Sequence, residues 1–421
     1  MKVLLIGNGG REHALAWKLA SSPRVTALYA APGNPGIAQM ADLVPIGVLD
    51  FEKIEKFITQ NKIELVVIGP EDPLAAGLAD RITAMGVKVF GPSRLAAQLE
   101  ADKWFAKELM RHQAVPTAEA RAFVDADAAE EYVKTRGAVV VKAAGLAKGK
   151  GVSVCYRTAD ALLAIERIMR NKAFGDAGER VVIEEMLTGP ECSVLAFVDR
   201  KNIYVMETAQ DHKPIDDGDT GPMTGGMGAY SPTPAVSDVL LRQIERDILV
   251  PVLDGLSREG IEYKGILYAG LMMTAAGPRV LEFNCRFGDP ETQPLMMRLK
   301  SDLLEVMLAV ADGKLDQIEL QWDPRPALCV VASSKGYPGS YPTGVPISGL
   351  DDADSIPDVK VFHSGTARRD NQIVTDGGRV LAVTALGDTI ADAQKRAYQA
   401  MGKIHFDGMH FRKDIGWRAM K

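Results

Sequence analysis

The first part of the chain alternates short apolar runs with stretches whose apolar positions recur every three to four residues. The apolar runs predict buried strands, and the recurring positions predict helices. The predicted strands cover residues 3–6, 25–30, 65–68 and 87–90, and the predicted helices 12–21, 51–60 and 74–85. Strands that alternate with helices in this way pair as a parallel sheet covered on both faces. The pattern therefore predicts an α/β domain with a doubly wound parallel sheet.

The middle of the chain has the pattern of an α+β unit. A helix is predicted from residue 102 to Pro116, which ends it. Residues 139–142 and 152–156 predict a hairpin around a glycine loop, followed by a helix at 160–169 and a strand at 180–185. Further predicted elements are strands at 191–198, 203–209, 265–273 and 279–284 and a helix at 239–259.

A segment rich in Gly, Pro and Asp, residues 211–234, interrupts these elements. It is predicted as a long loop, and long ordered loops in enzymes usually carry function. The last hundred or so residues predict strands at 327–333, 360–366 and 379–385 and a helix at 390–403, which form a small α/β module. The predicted domains are 1–101, 102–325, with a small mobile lobe at about 117–187, and 326–421.

Composition restricts the class of protein. A chain of 421 residues is too long for one ordinary core. Its net charge of −6 argues against a nucleic-acid partner bound through a general basic field. No apolar run reaches membrane-spanning length. The four cysteines are scattered without a Cys-x-x-Cys pair, so neither a disulfide framework nor a zinc site is indicated. We expect a cytoplasmic monomer.

The most informative segment is residues 281–293, where a predicted strand ends in a cluster of polar groups. Side chains alternate faces along a strand, so Glu282 and Asn284 point the same way. A carboxylate and an amide oxygen are ligands that Mg²⁺ prefers. Arg286 has the same parity and would hold an anionic substrate. The alternative is a strand end with a surface ion pair.

A glycine-rich turn, residues 7–13, follows the first strand and opens a helix. Gly9 and Gly10 would let a phosphate approach backbone N–H groups there. A dinucleotide fingerprint requires Gly or Ala where this chain has Glu12, and an acid after the second strand, where this chain has Asn34. The turn therefore predicts a sugar-phosphate site and not an NAD site. The alternative is a tight turn without a ligand.

A second glycine loop lies between the strands of the predicted hairpin. Its spacing is not that of a Walker loop. A glycine hairpin can still fold over a triphosphate, with lysines that counter the charge. The predicted phosphate contacts are Lys142 and Lys150, in a loop that contains Gly145 and Gly149. The alternative is a solvated basic turn.

Two further segments carry polar groups. The strand at 181–187 ends in Glu184 and Glu185, which could accept from an adenine or a ribose, with Glu191 near the ribose; a salt-bridged strand end is equally compatible. Residues 210–213 and 219–232 combine glycines with acids and suit a small polar substrate. His212 is interpreted as a hydrogen-bonded loop histidine.

Together these motifs resemble the ATP-grasp superfamily and, within it, the glycinamide ribonucleotide synthetase family of purine biosynthesis. The resemblance extends over the whole chain, through residues 6–13, 225–232, 282–293 and 412–416. It implies three substrates: glycine, 5-phosphoribosylamine and ATP, with Mg²⁺ or Mn²⁺. It also implies an acyl phosphate, formed when the glycine carboxylate attacks the γ-phosphate and consumed when the amine displaces phosphate.

The resemblance also assigns roles to residues. Glu282 and Asn284 would bind the metal. The implied nucleotide contacts are Lys142, Gly145, Gly149, Lys150, Glu184, Glu185, Leu187 and Glu191. The implied substrate contacts are Gly9, Gly10, Asn34, Glu71, Asp211 and Arg286. Arg286, Lys150 and Asp211 would carry the catalysis.

Some alternatives remain open. One is another ATP-grasp enzyme of the same pathway, which residues 211–213 and 224–232 disfavour. A non-catalytic nucleotide-binding protein is a second, disfavoured because the metal strand and the lysines are present. A dehydrogenase is a third, disfavoured by Glu12. The chain departs from the family pattern at Ala144, Lys148 and Met223, which bears on positioning over the phosphates.

Overall fold

The structure, a computed structural model, describes residues 1–147 and 150–420. The chain begins with five parallel strands in the order β3-β2-β1-β4-β5. The strands are β1 Lys2–Gly7, β2 Ala27–Pro32, β3 Asp42–Leu43, β4 Leu65–Ile68 and β5 Lys88–Phe90. The helices are α1 Gly10–Ala20, α2 Phe51–Asn61, α3 Glu71–Ala75, α4 Leu78–Ala84, α5 Gln98–Ala101 and α6 Lys103–His112.

Both faces of this first sheet are buried. Along β1, Val3 and Leu5 belong to one apolar core, whereas Leu4 and Ile6 belong to another. Alternate residues of a strand face opposite sides, so each face of the sheet packs against its own layer. The predicted doubly wound parallel sheet is confirmed.

The single helix predicted at 74–85 is wrong. The structure has α3 and α4 instead, separated at Ala76 and Gly77. Gly77 has φ +90°, a left-handed conformation that interrupts a helix and that glycine adopts without steric cost. The periodicity of the apolar residues continues across the break, so the pattern alone did not reveal it.

The next unit is a small antiparallel sheet in the order β6-β9-β7-β8 with a core of its own. The strands are β6 Ala120–Phe123, β7 Val139–Ala143, β8 Val152–Cys155 and β9 Val181–Glu185. The helices are α7 Ala126–Lys134 and α8 Thr158–Ile165, the latter continued by a π turn at Glu166–Arg170. Lys142 lies opposite Val152 in the register of β7 and β8, which confirms the predicted hairpin.

The following stretch supplies strands to several sheets. The strands are β10 Glu191–Asp199, β11 Ile203–Val205, β12 Gln210–Asp211, β13 Pro214–Asp216, β14 Thr220–Met223, β15 Gly228–Ser231, β16 Lys264–Thr274 and β17 Gly277–Asn284. The helices are α9 Asp238–Ile244, α10 Val250–Arg258, α11 Thr292–Arg298 and α12 Leu303–Asp312, with a π turn at Glu245–Leu249 between α9 and α10. Four of these strands form an antiparallel sheet in the order β11-β10-β16-β17.

The C-terminal part completes a further sheet, in the order β12-β15-β18-β22-β19. Its elements are β18 Ala327–Ser333, β19 Val359–His363, β20 Thr366–Arg369, β21 Gln372–Thr375, β22 Arg379–Leu386, α13 Leu350–Asp354 and α14 Ile390–Met401. Two strands from the middle of the chain therefore extend the C-terminal sheet. None of the helices among the described residues is long and apolar enough to cross a membrane.

The long loop predicted at 211–234 is wrong in part. Strands β13 and β14 form a ribbon inside it, and β15 pairs with β18, with Ala229 opposite Cys329. Tyr230 of β15 is fully buried. Glycine and proline are depleted in strands in general, so the composition of the segment pointed to a loop. A partner strand about 100 positions away along the chain decided the outcome.

Candidate active site

A single large cleft of about 1820 Å³ collects most of the predicted site residues. The predicted residues that line it are Glu71, Lys142, Lys150, Glu184, Glu185, Leu187, Glu191, Asp211, Glu282, Asn284 and Arg286. Gly9, Gly10, Asn34 and Gly145 are not part of the lining. Gly149 and Lys148 lie outside the described residues.

One end of the cleft, at strands β7 and β9, has buried lysines. Lys142 Nζ lies 3.0 Å from Glu184 Oε2 and donates to the carbonyl of Leu281 at 3.0 Å. Lys107 Nζ approaches Glu184 Oε1 at 3.3 Å. Burial lowers the pKa of Lys107 to about 8, although Glu184 opposes the shift. The Glu184 carboxylate is thus committed to two lysines, and Glu185 accepts from the backbone N–H of Glu119 at 3.0 Å.

Strand β17 brings the two predicted metal ligands to the cleft. Burial alone would raise the pKa of Glu282, but the positive charges of Lys213 and Lys142 outweigh it and lower the pKa. Asn284 Oδ1 accepts from Arg286 at 3.0 Å. A carboxylate that stays ionised beside an amide oxygen suits a hard divalent cation. The described residues contain no group of three or more His, Cys, Asp or Glu that could hold a metal.

Arg286 is held by two carboxylates from the N-terminal part of the chain. Its Nε lies 3.2 Å from Glu71 Oε2, and its NH2 lies 2.7 Å from Glu100 Oε1. Burial would raise the pKa of Glu71, but Arg286 and Arg11 outweigh it and lower the pKa to about 2. Glu100 also accepts from the backbone N–H of Cys285 at 2.8 Å. Glu100 was missed from the sequence, where it is one acid among many near predicted helices.

Asp211 is part of a buried polar cluster. Burial raises its pKa to about 7, Lys213 opposes the shift, and Glu291 and Glu191 add to it. Lys213 Nζ pairs with Glu191 at 3.2 Å. Glu291 and Lys213 lie in segments that the sequence singled out, but neither was assigned a role.

Glu291 is itself held by two hydroxyl groups. It accepts from Ser193 Oγ at 3.1 Å and from the hydroxyl of Tyr268. Neither Ser193 nor Tyr268 was predicted, because isolated polar residues within apolar strands give no sequence signal of a site.

The glycine-rich turn at 7–13 already holds an anion of its own chain. Gly9 N donates to Glu12 Oε2 at 2.7 Å. A Cβ at Gly7 would come within 2.5 Å of the Glu12 side chain, and one at Gly69 within 2.1 Å, so these glycines make room for that carboxylate. The Gly9 amide is therefore not available to a sugar phosphate, which favours the alternative of a turn without a ligand.

Asn34 has no remaining hydrogen-bonding capacity. Its Nδ2 donates to the carbonyls of Asn8 and His363, both at 2.9 Å, and its Oδ1 accepts from Gly36 N at 2.9 Å and Ile37 N at 3.0 Å. An amide side chain has two donors and two acceptor positions. Asn34 therefore fixes the loop after β2 to the C-terminal part.

His212 behaves as a structural histidine. Its Nε2 accepts from the backbone N–H of Gly416 at 3.3 Å. Burial lowers its pKa to about 3, and the nearby Arg418 and Arg412 contribute. The ring is neutral at ordinary pH, in keeping with its interpretation as a hydrogen-bonded loop residue.

The parallel N-terminal sheet, the two antiparallel sheets around one cleft and the Glu-x-Asn strand facing that cleft are the features of the ATP-grasp class. Family models match most of the chain: phosphoribosylglycinamide synthetase N domain at residues 1–100, its ATP-grasp (A) domain at 101–292 and its C domain at 327–418. The chain belongs to the phosphoribosylglycinamide synthetase family.

Individual relatives agree with this assignment. The phosphoribosylamine–glycine ligase of Rhodopirellula baltica is 52% identical, over 99% of this chain and 98% of the relative. The ligase of Escherichia coli strain K12 is 51% identical, over 100% and 99%. The crystal structure of the Thermotoga maritima ligase is 31% identical, with a TM-score of 0.87 and coverage of 99% and 100%.

A more distant structure shares the fold alone. The biotin carboxylase of Campylobacter jejuni is 16% identical to this chain, with a TM-score of 0.73 and coverage of 98% and 93%.

Proposed function

We propose that this chain joins glycine to 5-phosphoribosylamine at the expense of ATP in the large cleft, giving glycinamide ribonucleotide, ADP and phosphate for purine synthesis. The observation that carries the proposal is one cleft that gathers Lys142, Glu282, Asn284 and Arg286. These residues supply the cations and oxygen ligands that phosphoryl transfer requires. Full-length relatives named phosphoribosylamine–glycine ligase support the choice of substrates.

ATP would bind at the end of the cleft formed by β7 and β9. Lys142 and Lys150, with Gly145 and Gly149, would hold the phosphates. The nucleoside would lie along Glu184, Glu185, Leu187 and Glu191. Because the Glu184 carboxylate is paired with two lysines, adenine recognition would rest on backbone groups and on apolar contact with residues such as Leu187.

Glu282 and Asn284 would hold Mg²⁺ or Mn²⁺, which would neutralise the phosphate charge. A carboxylate oxygen of glycine would then attack the γ-phosphorus, and ADP would leave. Arg286 would face the charge that develops on the transferred group, since Glu71 and Glu100 fix its guanidinium in place before any substrate arrives. Such preorganised charge is the main source of rate in reactions of this kind.

In the second step the amine nitrogen would attack the acyl carbon, and phosphate would leave. The nitrogen must lose a proton as the amide forms. Asp211, with its pKa raised to about 7, is suited to accept that proton near neutral pH. Gly9, Gly10 and Asn34, which were predicted near the amine substrate, are not among the residues that line the cleft, whereas Glu71 is.

The test of the proposal is phosphate release from ATP with a divalent metal, glycine and freshly made phosphoribosylamine, added singly and together. We expect release when both are present, with one amide formed for each phosphate. Release that needs neither substrate, or none under any combination, would contradict the proposed reaction.

The metal assignment has its own prediction. Glu282→Gln removes the ionised ligand and keeps the shape of the side chain, so we expect turnover to fall by about 100-fold or more. Binding of Mn²⁺ with ADP, followed by electron paramagnetic resonance, should weaken in parallel. Glu262→Gln, a control at an exposed acid paired with Arg200, should leave both unchanged. Normal Mn²⁺ binding by Glu282→Gln would refute the assignment.

We further propose domain limits near residues 101 and 325, a movable small lobe at about 117–187, and a monomer. Sedimentation with and without nucleotide would test the monomer, and limited proteolysis would test the limits. Cleavage inside the N-terminal sheet, or a stable dimer, would contradict these points.

A further inference from the structure

The amine substrate of the proposed reaction carries a 5′-phosphate, and a phosphate needs cations and hydrogen-bond donors. A subsite for this phosphate presupposes the proposed function. The glycine-rich turn at 7–13 does not offer its Gly9 amide, because Glu12 accepts from it. Lys142 and Lys107 are paired with Glu184 at the nucleotide end of the cleft. Other donors that could hold the phosphate line the same cleft.

Among the residues of the C-terminal part that line the same cleft are Lys335, Tyr337 and Arg379, and we call these three the C-terminal wall. Two of them hold Gly225, in the glycine-rich segment. Arg379 NH1 donates to the carbonyl of Gly225 at 2.8 Å, and the backbone N–H of Gly225 donates to the Tyr337 hydroxyl at 3.1 Å. The wall is thus attached to the segment that the sequence associates with the small substrates.

Glycines at close approach fix the positions of these side chains. A Cβ at Gly378 would come within 2.2 Å of the Tyr337 ring, and a Cβ at Gly225 within 3.2 Å of the Arg379 guanidinium. A Cβ at Gly408 would come within 2.8 Å of Lys335 Cβ. Larger residues at Gly378 and Gly408 would displace Tyr337 and Lys335, whereas one at Gly225 would require only a small shift of the Arg379 guanidinium.

The wall keeps donors available. Arg379 uses NH1 for backbone carbonyls, including that of Asp289 at 2.6 Å, and within the described part of the chain its Nε and NH2 donate no hydrogen bond. The Tyr337 hydroxyl accepts from Gly225, which leaves its proton to donate. Lys335 is exposed, so its ammonium can reach an anion in the cleft.

The Asp289 carboxylate lies near the guanidinium. Asp289 Oδ2 is 3.5 Å from Arg379 NH2. Asp289 also accepts from Gln293 Nε2 at 2.9 Å and from Arg11 N at 3.4 Å. Since two other donors serve this carboxylate, Arg379 can turn NH2 and Nε towards a second anion without leaving Asp289 unpaired.

We propose that Lys335, Tyr337 and Arg379 form the subsite that binds the phosphate of 5-phosphoribosylamine. The guanidinium fork, the phenol proton and the ammonium match the several oxygens of a phosphate monoester. Occupying the subsite also fixes Gly225 and the neighbouring Thr224, whose backbone N–H donates to the carbonyl of Lys213 at 2.9 Å. Recognition of the phosphate is thereby linked to the cluster around Asp211.

The test uses ribose 5-phosphate, a stable phosphate monoester of the substrate sugar, with ribose as the uncharged comparison. Calorimetry measures their binding to the intact protein and to Arg379→Met, Tyr337→Phe and Lys335→Met. A lost hydrogen bond to a charged group corresponds to roughly 10- to 100-fold in affinity. We expect losses of that size for Arg379→Met and Lys335→Met, with binding of ADP unchanged. Arg369→Met, an exposed arginine of β20, is the charge-matched control and should bind normally.

A charge-preserving variant separates loss of the subsite from a folding defect, and the amide-forming assay separates failure of the subsite from failure of the proposed function. Arg379→Lys retains the charge and should recover part of the affinity, which a simple folding defect would not allow. If ribose 5-phosphate binds the three variants as it binds the parent protein, the subsite lies elsewhere and the inference is wrong. If the parent protein binds ribose 5-phosphate through the wall but forms no amide, the proposed function fails and the subsite stands.

Discussion

At the scale of single residues, Asp211 shows how the surroundings set a group's chemistry. Its carboxyl is buried, near the positive charge of Lys213 and the negative charges of Glu191 and Glu291. Burial and like charge disfavour ionisation, whereas the lysine favours it. The balance places the pKa of Asp211 at about 7, where a proton acceptor works best at neutral pH.

We predict that ionisation of Asp211 determines the acid limb of the pH–rate profile. Below pH about 7 Asp211 becomes protonated and cannot accept a proton, so kcat/KM should fall as the pH falls through that value. Asp211→Asn should lower the rate by about 100-fold or more and remove this limb. Asp407→Asn, at an exposed position, is the control and should keep the profile of the parent protein. An unchanged acid limb in Asp211→Asn would exclude this role.

At the scale of elements, the connection from β9 to β10 joins the sheet β6-β9-β7-β8 to the sheet β11-β10-β16-β17 and lines the cleft. Gly189 in this connection has φ +149°, and a Cβ there would lie 2.1 Å from the carbonyl oxygen of Met273. The backbone N–H of Met273 donates to Pro190 at 2.8 Å. The close approach of two backbones at this connection therefore requires glycine.

We predict that Gly189→Ala is destabilising and also weakens nucleotide binding. The methyl group would force the connection away from β16, and clashes of this kind lower the free energy of unfolding by roughly 1–3 kcal/mol. The KM for ATP should rise, because Gly189 and its neighbours line the cleft. Urea unfolding and initial rates measure the two effects. Gly137→Ala, where a Cβ meets no atom within 4 Å, should change neither by much.

At the scale of the whole molecule, two neutral histidines lie where the N-terminal helix α1 meets strand β19. The backbone N–H of His363 donates to His13 Nδ1 at 2.7 Å, and both rings are buried. Burial lowers the pKa of His13 well below its usual value and that of His363 to about 4. The contact thus depends on His13 remaining uncharged.

Acid should therefore lower the stability of the folded protein. Below pH about 6.5 these histidines take up protons in the unfolded chain and not in the folded one, so the free energy of unfolding falls as the pH falls. Each histidine lowers the free energy of unfolding by up to about 1.4 kcal/mol for each pH unit. For His363 this effect stops near pH 4, where the folded protein also takes up the proton. His13→Asn, which keeps an acceptor, should reduce the slope between pH 6 and 5 in urea unfolding.

The matched control is His112→Asn, at an exposed histidine, which should leave the slope unchanged. Equal slopes for His13→Asn and the parent protein would show that the contact between α1 and β19 is not sensitive to acid.

Strands, helices and the side chains that share a face of them could be predicted from the sequence alone, because they depend on residues within a few positions. The apolar runs defined β1 and β4, and the alternation along β17 placed Glu282 and Asn284 on one face. Helices and strands have fixed local periods, so a residue pattern encodes them directly. Recognition of the family rested on the same kind of information, since its motifs are short and continuous.

Tertiary structure decided which distant residues meet. Glu100 reaches Arg286 across 186 positions of the chain, and Arg379 reaches Gly225 across 154. Glu12 occupies the turn that was predicted to bind a phosphate, and β15 pairs with β18, a strand from the C-terminal part of the chain. Local periodicity contains no information about such pairings, because packing and charge balance over the whole fold select them.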